Sequence, residues 1–304
     1  MALQVLNELQ TAALLPFPSL CDFIADAARD YAGERITSPT RQVLPLLDDA
    51  LLLSMPATSS DIGIHKLVNF APGNSQKGLP LIHGLVAVYS SATGEPLLVL
   101  DGPTVTARRT ACVSMLAIKS LRNDARHVAL IGTGKQAAGH IEALSELFPG
   151  IKVDVHGRSK EGVEKFCDQF AHLTLRISAQ SAGIRDEAQV VIALTSSKRP
   201  IYHEVARPGR LLIGVGAFNA EMAEFAPECV NASQLFADDP VGARHEAGDL
   251  IQADVNWKTV LSLADAVDGR FDSTKASLFK SVGCAAWDLA AGRCAIATQG
   301  AKRD

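Results

Sequence analysis

The stretch VALIGTGKQAAGHIEAL, residues 128–144, runs an apolar strand into a glycine turn and on into a helical pattern. Gly132, Gly134 and Ala137 stand there in the G-x-G-x-x-A spacing of a dinucleotide turn. The first glycine permits the tight turn, the second lets the backbone approach a pyrophosphate, and the third small residue lets helix and strand pack closely. The first N–H groups of the helix then face the anion. A tight structural turn is the competing reading of so short a motif; the strand before it, the helix after it and a further strand beyond favour a nucleotide. About 20 residues on, where a carboxylate commonly binds the ribose 2′-hydroxyl of NAD, the chain reads VDVHGRSK. Asp154 falls inside the expected strand, and the strand end carries His156, Gly157, Arg158, Ser159 and Lys160. A carboxylate repels a 2′-phosphate, whereas a guanidinium holds it at two points and a hydroxyl adds a hydrogen bond. The loop therefore favours NADPH, with NADH the weaker coenzyme, against the alternative that Arg158 and Lys160 only solvate a loop.

Groups suited to an anionic substrate occur earlier in the chain: Arg41 in SPTRQVLP, Lys66 in IHKLVNFAPGN, and Arg108 and Arg109 in TARRTAC. Arginine offers planar two-point binding to a carboxylate, and lysine a point charge able to donate a proton. Taken singly, each also reads as a surface cation, and composition does not separate the two readings.

The elements that must position these residues fall into two groups. PSLCDFIADAARDYAG spaces Phe23, Ile24, Ala27, Ala28 and Tyr31 as one face of a helix closed by Gly33. From about 36 to 101, short apolar pieces (VLPLL, ALLLSMPA, IHKLVNF, GLVAVYSS, PLLVLDG) alternate with turn residues, which predicts an antiparallel or mixed sheet with a hairpin at SATGEP. TARRTACVSMLAIKSL is helical by its apolar spacing, and a domain boundary is expected near 120. Beyond it, strands interleave with helices (HVALIG, KQAAGHIEALSEL, KVDVHG, KEGVEKFCDQF, TLRIS, QVVIALTS, RLLIGVG), the pattern of an α/β, Rossmann-type, doubly wound parallel sheet. The tail ASLFKSVGCAAWDLAAGRCAIA is expected as a helix that packs back on the first domain. The domains so expected are 1–120 with 285–304, an α+β unit, and 121–284, the nucleotide-binding unit.

With 304 residues, 47% of them apolar, 20% charged and a formal charge of −4, the chain is an ordinary folded one. Its scattered basic residues give no footprint for nucleic acid or a membrane surface, so a small-molecule partner is expected. The absence of a leader-like start and of a bilayer-length apolar run reads as cytoplasmic. Cysteines 21, 112, 167, 229, 284 and 294 form no C-x-x-C pair, so no metal and no disulfide framework is expected.

The run HKLVNFAPGN…KGLP…TGEPLLVLDGPTVTARRTAC, then IGTGKQA and the late LFKSVGCAAWDLAA, resembles the ornithine cyclodeaminase/mu-crystallin family from about 36 to 290. The resemblance implies a homodimer whose first domain, 1–120 with 285–304, serves substrate binding and dimerisation, with Arg41, Lys66 and Arg109 around a substrate carboxylate and Lys66 the catalytic cation. It places Thr195, Ser281 and Gly283 near the nicotinamide and Gln136 at the cofactor after the glycine turn, beside Gly132, Thr133, Gly134, Arg158 and Ser159. His83 and Asp249 are weaker suggestions for the pocket or its rim. Cyclodeaminases of this family carry a proton-handling aspartate after the strand-end glycines, where this chain has Phe218, followed by Asn219. A phenyl ring transfers no proton. The expectation is therefore a reductase of cyclic ketimines such as Δ1-pyrroline-2-carboxylate and Δ1-piperideine-2-carboxylate. The rival readings are an ornithine cyclodeaminase, an open-chain amino-acid dehydrogenase and a non-catalytic crystallin-like binder.

Overall fold

A computed structural model of the chain describes residues 3–301; residues 1, 2 and 302–304, which fall within the expected first domain, lie outside the described residues. The chain forms two compact units, Met1–Arg109 with Cys284–Asp304, and Thr110–Gly283.

In the first unit, strand β1 (Gln4–Val5) precedes helices α1 (Glu8–Leu14) and α2 (Phe17–Ala32). Strands β2 (Gln42–Pro45), β3 (Leu51–Thr58), β4 (Ile62–Phe70), β5 (Ile82–Ser90) and β6 (Pro96–Asp101) follow. The sheet runs β1-β6-β5-β4-β3-β2 and is antiparallel except at β1, which pairs parallel with β6. Helix α2 is capped by Pro16, carries Pro18 in its first turn, where a missing N–H costs nothing, and stops before Gly33; the expected Ile24, Ala27 and Ala28 are on its buried side. Alternation puts Ile62, Ile64 and Lys66 of β4 on one buried face of the sheet, so the lysine continues an apolar stripe into the interior.

Helix α3 (Gly102–Leu121) begins four residues earlier than its apolar spacing suggests. The division between the units falls inside it, at Arg109/Thr110, rather than near 120.

The second unit interleaves strands and helices, except that β9, β10 and β11 follow one another without a helix: β7 (His127–Ile131), α4 (Lys135–Leu147), β8 (Lys152–His156), α5 (Lys160–Asp168), β9 (Arg176–Ala179), β10 (Val190–Ala193), β11 (Leu211–Gly214), α6 (Pro227–Asn231), β12 (Gln234–Ala237), α7 (Pro240–Glu246), α8 (Gly248–Gln252), β13 (Leu261–Ser262), α9 (Leu263–Val267) and β14 (Ser277–Lys280). All pairs of the sheet β13-β12-β14-β11-β10-β7-β8-β9 are parallel. β10 and β11 are buried at every position, as strands covered on both faces must be. The order of winding reverses between β7 and β10, which makes the carboxyl ends of these two strands the topological switch point.

One expectation is corrected here. The tail from Ala276 is not one helix: Ser277–Lys280 is a strand, seated between β11 and β12 in the interior of the sheet, and helix α10 (Ala285–Ala301) starts only after Gly283 at φ +76°. The four residues of β14 carry no periodicity that separates strand from helix; the sheet's vacant central slot decides. Helix α10 returns to the first unit and packs on α2, β3 and β4, with Gly292 against Ile62 and Ile64.

Candidate active site

Two groups of side chains carry chemistry, one in each unit. In the first unit Lys66 of β4 is 2% exposed and its Nζ lies 3.1 and 3.3 Å from the two carboxylate oxygens of Asp288 in α10. Arg109 of α3, also buried, brings its Nε to 3.5 Å from the same Asp288. Half-buried Arg41, just before β2, is close enough for its charge to act on Lys66. Burial pulls the Lys66 ammonium down to about 8; Asp288 raises it, and the charges of Arg109 and Arg41 lower it further. Lys66 and Arg109 share the one carboxylate of Asp288, which leaves one positive charge in excess when Lys66 is protonated. An interior with such an excess is completed by an anion.

Asp288 is the functional residue that the sequence reading missed. Its signal was present: a carboxylate inside CAAWDLAAGRCA, an otherwise apolar run, is buried only at a cost unless cations meet it. The neighbouring Arg108 has a different task, donating from Nε to the Leu15 carbonyl at 2.8 Å with its guanidinium 3.7 Å above the Phe17 ring. His83 is exposed on β5, opposite Asn69 in the sheet.

In the second unit a cavity of about 710 Å³ opens at the carboxyl ends of the strands, lined by Gly132, Thr133 and Gly134 after β7, Gly157 and Arg158 after β8, and Thr195 after β10. Gly132 has φ +127°, and a Cβ there would stand 2.7 Å from the Leu194 carbonyl oxygen. The turn is therefore closed to any side chain. Gly134 caps α4 without a side-chain hydrogen bond, leaving the first N–H groups of the helix for an anion. These features fit the pyrophosphate of a dinucleotide. Gln136, in the first turn of α4, keeps its Oε1 buried and without a hydrogen-bond partner, and does not line the cavity. Ser159 caps α5 by accepting from the Gly162 N–H at 3.2 Å, which leaves its hydroxyl proton to donate. Asp154 points away from any ribose: it is buried, with one oxygen 2.8 Å from His127 Nε2 and the other accepting from Ser178 Oγ at 2.7 Å.

Thr195 hydrogen-bonds through its N–H and hydroxyl to Glu224. Ser281 and Gly283 are gathered by Asp238, which accepts from Ser281 Oγ at 2.8 Å and from the Gly283 N–H at 3.0 Å, so they stand apart from the cavity of the glycine turn. Asp249, suggested for the pocket or its rim, is in the interior instead. It is 1% exposed, 2.6 Å from the buried Lys280 Nζ, and takes the N–H groups of Glu224 and Phe225. A buried carboxylate so fully used is structural. Phe218 is half exposed in the segment after β11, and Asn219 turns its carbonyl oxygen to the Glu221 N–H at 3.1 Å. Among the described residues no His, Cys, Asp and Glu group could hold a metal, and no helix is long and apolar enough to cross a membrane.

The model of the ornithine cyclodeaminase/mu-crystallin family matches residues 3–298. A Δ1-pyrroline-2-carboxylate/Δ1-piperideine-2-carboxylate reductase of Azospirillum brasilense is 50% identical over 301 residues, covering 98% of this chain and 97% of that protein. Among solved structures, the Δ1-pyrroline-2-carboxylate reductase of Thermococcus litoralis in complex with NADH and L-proline is similar at a TM-score of 0.86 and 25% identity, over 98% of this chain and 97% of that one. An archaeal alanine dehydrogenase with bound NAD shares the fold at a TM-score of 0.89 and 24% identity, over 100% of this chain and 98% of that one.

Proposed function

This chain belongs to the ornithine cyclodeaminase/mu-crystallin family, and on that premise we propose that it reduces cyclic ketimino acids with a nicotinamide coenzyme: Δ1-pyrroline-2-carboxylate to L-proline, and Δ1-piperideine-2-carboxylate to L-pipecolate. The carrying observation is the buried cluster of Lys66, Arg109 and Asp288 with Arg41 beside it, a pocket charged for one small carboxylate. Half identity to the Azospirillum reductase over nearly the whole of both chains supports the substrate class.

The guanidinium groups of Arg41 and Arg109 bind the carboxylate next to the C=N carbon. Lys66 sits low enough, at about 8, to give up a proton and high enough to hold one at neutral pH. It therefore protonates the imine nitrogen, or keeps it protonated, and Asp288 holds the ammonium in place. The bound coenzyme supplies the hydride, which adds to C2. One ketimine, one reduced coenzyme and one proton give one imino acid and one oxidised coenzyme. Phe218, an apolar group where a cyclodeaminase has its aspartate, suits a site that excludes water from an imine rather than one that adds a nucleophile to it.

The preferred coenzyme is NADPH. Gly157 at the strand end presents no carboxylate to a 2′-phosphate, and Arg158 lines the cavity beside it. The working form is a homodimer, because the first unit exposes apolar Leu44 and Leu85 on one face of its sheet and Val43, Phe70 and Ile82 at the margin of the other, apolar area a second copy would cover. All six cysteines are free thiols, which suits the reducing cytoplasm.

The test is consumption of reduced coenzyme, followed by absorbance, with both ring sizes, with NADH beside NADPH and ornithine as the negative control. Saturable oxidation with the ketimines is expected. Ammonia release from ornithine with catalytic NAD would replace the reading with a cyclodeaminase.

A further inference from the structure

Glu224 lies between β11 and α6 with its side chain wholly buried. Its carboxylate receives four hydrogen bonds. Oε1 accepts from the Thr195 N–H at 2.6 Å and the Thr195 hydroxyl at 3.0 Å; Oε2 accepts from the N–H groups of Gly216 at 2.7 Å and Ala217 at 3.2 Å. The donors come from the segments that follow β10 and β11, neighbouring strands beyond the switch point from β8 and β9. A Cβ on Gly216 would run into the Thr195 backbone and stand 2.6 Å from Glu224 Oε1, so the glycine is what lets the two segments close on one carboxylate. Burial pushes the Glu224 carboxyl up, Lys280 pulls it down and Asp249 pushes it up again. Four donors and no acceptor face it, and only the ionised form satisfies them all.

A dinucleotide across a doubly wound sheet lays its adenosine half over the β8 side of the glycine turn and its nicotinamide half over the β10 side. Thr195 is on the latter side and lines the cavity. We infer that Glu224 is a positioning residue for the nicotinamide riboside: by taking the Thr195 hydroxyl proton it leaves that oxygen as an acceptor only, set to receive a hydrogen bond from the carboxamide N–H2 or a ribose hydroxyl. Without the carboxylate the hydroxyl would rotate and donate elsewhere, and its oxygen would no longer be fixed as an acceptor. The inference rests on the coenzyme reading above and adds to it the group that orients one end of the cleft.

Binding of NADPH to the otherwise empty enzyme, followed by coenzyme fluorescence, tests it without turnover. Thr195→Val is expected to raise Kd by ~3- to 10-fold, the worth of one hydrogen bond, and to lower the melting temperature modestly, since a donor to the buried carboxylate is lost with it. Glu224→Gln turns an amide N–H2 toward backbone donors or toward Thr195, and is expected to weaken binding at least as much. The double variant should bind no more weakly than Glu224→Gln alone, because the two act through one contact. A 3-acetylpyridine analogue of NADPH, which lacks the carboxamide N–H2, identifies the donor: a Thr195→Val penalty that vanishes with it assigns the carboxamide, and one that persists assigns the ribose. This arm holds even if Glu224→Gln fails to fold. Thr195→Val binding both coenzymes like the parent, or effects that multiply in the double variant, would overturn the inference. A parent enzyme that binds neither NADPH nor NADH would overturn the coenzyme reading itself.

Discussion

At Lys66 two physical demands compete. Burial favours the neutral amine, and Asp288 favours the ammonium; the result, about 8, is what a proton donor working near neutrality needs. Lys66→Ala should therefore lower turnover by ~100- to 10,000-fold while the NADPH affinity, measured by fluorescence titration, stays within about 2-fold, since the cavity proposed for the nucleotide is in the other unit. Asp288→Asn removes the group that raises Lys66. The ammonium then deprotonates at lower pH, so the alkaline limb of the kcat/KM profile should move to lower pH; an unmoved limb would take Lys66 out of the proton transfer. The sequence made Lys66, Arg41 and Arg109 legible only through family resemblance, because three scattered cations have no spacing of their own. Asp288 was not read, although a lone carboxylate in an apolar helix is the kind of residue that needs a partner.

At the level of elements, the glycine turn, α4 and β8 were legible from period and punctuation, and α4 occupies the residues expected of it. One segment was not: β14 is four residues long and acquires its conformation from the gap between β11 and β12, whereas the later part of the same tail is the expected helix, α10, packed on the first unit. The helix of the glycine turn is also tied to the end of the chain's long connecting helix. His140 of α4 donates from Nδ1 to the Gln136 carbonyl at 2.7 Å and accepts at Nε2 from Ser114 of α3 at 2.9 Å. Burial pulls this imidazole down to about 4 from an ordinary 6.5. The unfolded chain thus binds a proton that the folded one refuses, and stability falls as pH drops from about 6.5 toward 4, by up to ~3 kcal/mol. Urea denaturation at pH 7 and pH 5 should show this loss, and His140→Phe should reduce it. An equal loss in the variant would place the titration elsewhere.

In the whole molecule one unit carries a buried cation cluster and the other a glycine-turn cavity, in a chain of the ornithine cyclodeaminase/mu-crystallin family. Sedimentation should find a dimer, and Leu44→Asp together with Leu85→Asp, exposed on the same face of the sheet, should shift it toward monomer; a parent that sediments as monomer would remove the interface. Arg158→Ala should raise the KM for NADPH by ~10-fold or more and leave that for NADH within about 2-fold, because only the former carries the 2′-phosphate whose charge-assisted bonds are lost. Equal effects on both would reduce Arg158 to a general contact. The central claim is that a hydride reaches the ring carbon beside a carboxylate held by Arg41, Lys66 and Arg109. It is tested most directly by turning over Δ1-pyrroline-2-carboxylate with NADPH deuterated at C4 and reading the product by mass spectrometry and NMR. The account predicts L-proline with one deuterium at Cα for each coenzyme oxidised. Proline without that label, or coenzyme that binds but is not oxidised by the ketimine, would contradict it.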